Sequence, residues 1–211
     1  MQTGDPWAFG WTQLLTLIGF IITIGIAVGG FRTFGRWKRE RIEERRIDIA
    51  FDVLSIARES KFVFGRIRDP HGFEGEWRNM PVKEGESDTD RSMRGGPYAT
   101  LVRINANRDY FERMSRLQPK AIAAFGSTAE AAFERFNKAF GLVQEAATFL
   151  AWQPVRPERP SEEDFNIRMM LRSDLWAGFG KEDRVEKELN TFRSEVEKFF
   201  RPVIERNFRS N

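Results

Sequence analysis

The sequence predicts an all-α protein: one N-terminal transmembrane helix, then an antiparallel helical bundle of about four long helices with a long polar loop. Three observations predict it. No residue between Asp5 and Arg32 is charged. Beyond residue 46 the apolar residues recur at three- and four-residue steps, the period of a helix with one buried face. No stretch alternates with the period of two that a half-buried strand requires. The chain has 211 residues, 41% hydrophobic and 31% charged, which is rich enough in apolar side chains to fold and long enough for one domain with an appendage.

The span comes first. About 20 helical residues cross a ~30 Å hydrocarbon layer. Leu14 to Val28 is the most apolar part, with Trp7, Phe9 and Trp11 at one end and Phe31, Phe34 and Trp37 at the other. Such aromatic belts favour the two membrane interfaces. A cleaved signal peptide is the rival reading, with Ala27-Val28-Gly29 as its cleavage triplet. It would want a basic N-terminal region, and residues 1–6 contain no Lys or Arg. Seven cations (Arg32, Arg36, Lys38, Arg39, Arg41, Arg45 and Arg46) follow the span, against Glu40, Glu43 and Glu44. The positive-inside rule then places residues 32–211 in the cytoplasm and the short N-terminus outside. The expected organisation is an extracytoplasmic N-terminus over 1–6, a transmembrane helix over 7–31 and a cytoplasmic helical domain over 32–211. Arg32, Arg36, Lys38, Arg39 and Arg41 form a basic cluster at the membrane surface, near anionic headgroups. Gly25 and Gly29 form a G-x-x-x-G, a spacing that lets two membrane helices pack closely.

A charged helix over about 36–67 is continuous with the span or bent near Gly35. Its apolar positions include Ile47, Ala50, Phe51, Val53, Leu54, Ile56, Ala57, Val63, Phe64 and Ile67. Asp69-Pro70 stops it. Residues 68–97 are polar, rich in Gly and Pro and without period, and are expected to be a flexible loop. Phe73, Trp77 and Met80 within it either dock back or contact a partner. Trp77 is the candidate contact.

Pro97 suits a first helical residue, opening a helix over about 97–117. Pro119 opens the next segment. Ser127 and Glu130 form an S-x-x-E capping box before a helix to about 152. Residues 153–160 are a proline-rich linker. Ser161 and Asp164 repeat the cap for a helix ending near 175, before Gly178 and Gly180. The last helix starts near 181 and is kinked or ended by Pro202.

Chemistry is sparse. The chain has no cysteine, which removes thiolate nucleophiles, disulfides and thiolate metal sites. His71 is the one histidine and falls in the loop. No phosphate-binding glycine motif and no nucleophile elbow occurs. Cofactor and metal are both expected to be none. Asp48 and Asp52 share a helix face and would matter only if buried. Arg58, Lys61, Arg66, Arg68, Arg103, Arg108, Arg113 and Arg116 lie around their helices rather than in one stripe, so no nucleic acid is expected.

Residues 47–70, IDIAFDVLSIARESKFVFGRIRDP, follow the basic junction and precede a polar loop and further helices. In these features the chain resembles a class of uncharacterised bacterial single-pass membrane proteins with a small helical cytoplasmic domain. The resemblance implies that layout and transfers no functional residue. The leading expectation is a membrane-tethered helical interaction or scaffold module at the inner face of the bacterial cytoplasmic membrane, whose partners are the lipid bilayer and either another protein or itself. The alternatives are a ligand-binding sensor or effector of a stress or phage response, and an enzyme using buried carboxylates. A pocket with inward acids would favour either alternative, and an exposed apolar patch the interaction module.

Overall fold

A computed structural model describes residues 10–72, 74–152, 161–180 and 182–209. Among them the backbone forms seven helices and no strand. The helices are α1 (Trp11–Ile67), α2 (Glu74–Trp77), α3 (Asp88–Ala106), α4 (Arg108–Phe125), α5 (Ser127–Trp152), α6 (Glu162–Leu175) and α7 (Arg184–Arg209). Trp7 and Phe9 of the first aromatic cluster, and the linker over 153–160, lie outside the described residues. The chain divides into two compact units, Met1–Arg46 and Ile47–Asn211.

The first unit is helical from Trp11, with no break at Gly35. Its most apolar 18-residue window has a mean hydropathy of 2.4 and is 0% buried, so this is a helix long and apolar enough to cross a membrane. Thr23 Oγ1 donates to the Gly19 carbonyl at 2.8 Å and Thr33 Oγ1 to the Gly29 carbonyl at 3.0 Å. Hydroxyls that turn back onto their own helix need no water.

The second unit buries its own core. From α1 it takes Ile47, Ala50, Val53, Ile56, Ala57, Val63, Phe64 and Ile67, all buried and on the expected stripe. Phe51 departs from that stripe and is exposed, with Leu54 half-buried. Helix α5 is central and packs against α3, α4, α6 and α7. Its sequence explains why. Ala129, Ala132, Ala139, Ala146, Ala147 and Ala151 are buried along it, and small side chains let neighbouring backbones approach. Phenylalanines fill the space between. Phe136 meets Phe64, Phe111 and Phe192 with centroids 5.4–6.4 Å apart, at tilted or edge-on angles that suit the ring quadrupoles. Burial of Phe64, Phe136 and Phe192 stabilises the fold by roughly 1.5–3 kcal/mol each.

Five boundaries correct the sequence reading. The segment 68–97 is not a loop throughout: α2 interrupts it, and α3 begins at Asp88. The Ser87 hydroxyl accepts from the Asp90 amide at 3.1 Å, which starts the helix well before Pro97. Pro97 therefore lies buried inside α3. The helix expected over 97–117 breaks at Asn107, whose Nδ2 donates to the Arg103 carbonyl at 2.8 Å and ends α3 there. Pro119 and Pro202 lie inside α4 and α7. At the start of α5 the Gly126 carbonyl accepts from the amides of Ala129 and Glu130, and Ser127 is already helical. The Ser161–Asp164 capping box forms as expected.

Candidate functional site

Two regions carry the features singled out in the sequence, one in each unit. In the first unit a Cβ added at Gly25 or Gly29 would meet nothing within 4 Å, so this face of α1 is open. Phe31, Phe34 and Trp37 are exposed just beyond it, with Phe34 and Trp37 in ring contact at 5.9 Å. The basic cluster sorts into two groups. Arg36 pairs with Glu40 at 2.9 Å, Arg41 with Glu44 at 3.2 Å and Arg46 with Glu43 at 3.5 Å. Arg39 donates through Nε to the Gly35 carbonyl at 3.2 Å and has no carboxylate partner among the described residues. Arg32, Lys38 and Arg45 likewise carry charge that no described carboxylate answers.

In the second unit three arginines close three helix C-termini. The last carbonyls of a helix have no partner within it and carry partial negative charge, so a guanidinium is the natural stopper. Arg103 of α3 closes α1: Nη1 donates to the Arg66 carbonyl of its last turn at 3.4 Å, and the chain just beyond is held by Nη1 to the Asp69 carbonyl at 2.6 Å and Nη2 to the His71 carbonyl at 2.8 Å. The same side chain grips Glu76 of α2 through two hydrogen bonds of 2.8 and 2.7 Å. Arg94 of α3 closes α5: Nε donates to the Ala151 carbonyl at 2.6 Å, and Nη1 pairs with Glu86. Lys83 Nζ adds a bond to the Trp152 carbonyl. Arg68, just after α1, closes α6 through the Asp174 and Ser173 carbonyls at 3.1 and 3.0 Å. It also reaches the Asp183 carboxylate at 2.9 Å, and Asp183 in turn accepts from the Glu186 amide at the start of α7. Arg68 and Arg94 are each only 1% exposed.

Trp77, the expected partner contact, is half-buried on its own chain. A Cβ at Gly95 would come within 2.6 Å of its ring, so only glycine admits it. Trp176 seats less tightly on Gly96, where a Cβ would come within 3.0 Å of its ring. The pair Gly95-Gly96 is thus a double notch for two tryptophans.

Glu86, Glu188 and Tyr110 are shifted from their ordinary ranges by what surrounds them. Burial works against the charged form of Glu86, but the Lys83 amide and the Arg94 guanidinium outweigh it and hold the carboxyl below its usual range. Lys138 at 2.5 Å does the same for Glu188, against a smaller opposing effect of burial. Asp174 pairs with Arg184. Burial pushes the Tyr110 hydroxyl well above the usual phenol range, and it donates to the Ile56 carbonyl at 3.2 Å. Asp48 and Asp52 are exposed. His71 is exposed and sits 3.0 Å from Asp69. Among the described residues no three His, Asp or Glu side chains converge on one point. Of the scattered arginines weighed for nucleic acid, Arg58 pairs with Glu197, Arg113 with Glu59, and Arg108 and Arg116 with Glu112.

The second unit also exposes apolar surface. Phe165 (60% exposed), Ile167, Met169 and Met170 stand out on α6. On α5 an open groove of about 570 Å³ runs between Gly141, Glu145, Phe149 and Trp152.

Sequence reasoning misses the arginine clasps, since Arg68 and Arg103 read there as surface charge. Arg68 follows the end of α1 but closes α6, 105 and 106 residues further on, so its place beside a helix end does not announce the clasp. Arg94 and Arg103 carry no signal either, because the carbonyls they close lie 57 and more than 30 residues away in the chain. No protein-family model matches this chain, and no curated protein and no solved structure matches it either.

Proposed function

We propose that this protein is a membrane-tethered helical interaction module at the inner face of a bacterial cytoplasmic membrane. The observation that carries the reading is the contrast in burial. A 0%-buried window of mean hydropathy 2.4 lies in the same chain as a unit that buries its own phenylalanines and alanines. Apolar surface on that scale needs a non-aqueous neighbour, and a bilayer supplies one. The seven cations after the span support an inward-facing second unit. The interaction role is supported by the exposed apolar residues of α6 and α5. It is supported too by the pairing of the acids Glu86, Asp174 and Glu188, each of which meets an arginine or a lysine.

Three measurements test it. The chain should stay in the membrane pellet through an alkaline wash. A cytoplasm-only fluorescent reporter fused to the C-terminus should light up, and periplasmic phosphatase activity from the same fusion would overturn the orientation. Cross-linking in intact membranes should recover one abundant partner or a self-link through α5 or α6; recovery of neither would overturn the interaction role.

A further inference from the structure

We infer that the start of the basic junction binds anionic phospholipid headgroups, and that three cations, Arg32, Lys38 and Arg39, confer the selectivity. The inference rests on the membrane reading above and adds the lipid class and the residues.

Pairing within the helix decides which charges are available. All three acids of the junction are taken: Glu40 by Arg36, Glu44 by Arg41 and Glu43 by Arg46. Arg32, Lys38, Arg39 and Arg45 are left without a carboxylate among the described residues. Distance then separates these four. The exposed rings of Phe31, Phe34 and Trp37 mark the interfacial zone. At about 1.5 Å per residue, the stretch from Arg32 to Arg39 covers ~10 Å, about one screening length at moderate salt. Arg45 lies roughly a further 9 Å along and falls outside it. At about 100° per residue Arg32 and Arg39 share one face, and Lys38 lies about a third of the way round. Headgroups are therefore met on two sides of the helix. Arg36 and Arg41 contribute less, because a carboxylate one turn along the helix offsets the charge of each at the surface.

The experiment uses the full chain in phosphatidylcholine vesicles doped with spin-labelled phosphatidylglycerol or spin-labelled phosphatidylcholine. The motionally restricted fraction gives the relative association of each lipid. Phosphatidylglycerol should be preferred by about fivefold, one cation per headgroup. The preference should fade between about 0.1 M and about 1 M salt, as screening shortens from ~10 Å to ~3 Å. The triple variant R32Q/K38Q/R39Q should lose it, and Arg45→Gln should keep it. Equal association of both lipids with an inserted chain would overturn the inference. So would a preference that survives the triple variant, or one lost equally in Arg45→Gln. A chain that leaves the vesicles in an alkaline wash would instead overturn the membrane reading itself.

Discussion

Helix α1 contains two apolar stretches that differ in how their side chains are distributed and buried. From Gln13 to Phe31 apolar residues occupy every face, and even Leu14, Ile18, Ile22 and Ile26 on successive turns are exposed. From Ile47 to Ile67 apolar residues keep largely to one stripe, which is buried, while Asp48, Asp52, Arg58 and Lys61 hold the outside. The apolar residue types hardly differ. What differs is the period, and on the proposed reading the period reports the neighbour: a protein core covers one side of a helix, whereas lipid would cover all of it.

Placing the same charge in each stretch should separate the two cases most sharply. Val53 is fully buried, and Val53→Asp puts a carboxylate into the core without a partner. We expect a loss above about 4 kcal/mol, enough to unfold the second unit, seen as loss of the cooperative melt of the detergent-solubilised chain. Ile22→Asp should cost about 3–4 kcal/mol of membrane insertion instead. It should appear in the alkaline-wash supernatant with the melt unchanged. If the two variants behaved alike, the division of α1 between two surroundings would be wrong.

The next effect concerns how the second unit is fastened. Glu86→Gln leaves Arg94 buried and short of its counter-charge, and breaking such a pair costs about 3–5 kcal/mol. The wild-type protein should show the same loss through pH. The carboxyl is held below its ordinary value of 4.5, so its contribution is fully present above that value. The contribution is lost as pH falls through the lower folded value. Glu86→Gln should flatten the stability–pH curve in that acidic window, measured by urea midpoints at a series of pH values. An unchanged slope would remove Glu86 from the clasp. The first unit has no equivalent among its described residues, and the alkaline-wash behaviour should not respond to this variant.

Ser87→Ala comes third and bears on what is legible in the sequence. The cap at Ser87–Asp90 has the same S-x-x-D form as the one at Ser161–Asp164, yet only the second stands out in the sequence. The difference lies in the flanks: Ser161 follows prolines and precedes an apolar run, whereas Ser87 sits among Gly, Glu and Asp with no periodic apolar residue until Tyr98. Helix α3 is held there by Arg94 and by the notch at Gly95, contacts made to other parts of the chain. Nothing periodic announces the break at Asn107 or the passage of α4 through Pro119 either. Local signals reveal the apolar span, the stripe of α1, the extent of α5 and the cap of α6, because there a strong period or a cap is written in neighbouring residues. Removing the Ser87 hydroxyl should cost about 1 kcal/mol and speed amide exchange at residues 88–91, leaving residues beyond Arg94 protected.

The smallest effect gives the most direct comparison of the two stretches. Phe20 is 67% exposed and Phe62 is 71% exposed, one in each stretch of α1. By accessible area they are equivalent. By the argument from period they are not: Phe20 belongs to the stretch suited to hydrocarbon and Phe62 to the stretch whose outer face meets water. Phe62→Ser should therefore change stability, read from the urea midpoint, by no more than about 0.5 kcal/mol in either direction, the ordinary range for a surface site. Phe20→Ser should leave that midpoint alone and weaken membrane retention measurably. A larger cost at Phe62, appearing only as protein concentration rises, would mean that a second copy of the chain covers this ring. It would then be the period of the partner's contact, not of water, that left Phe62 outside the core.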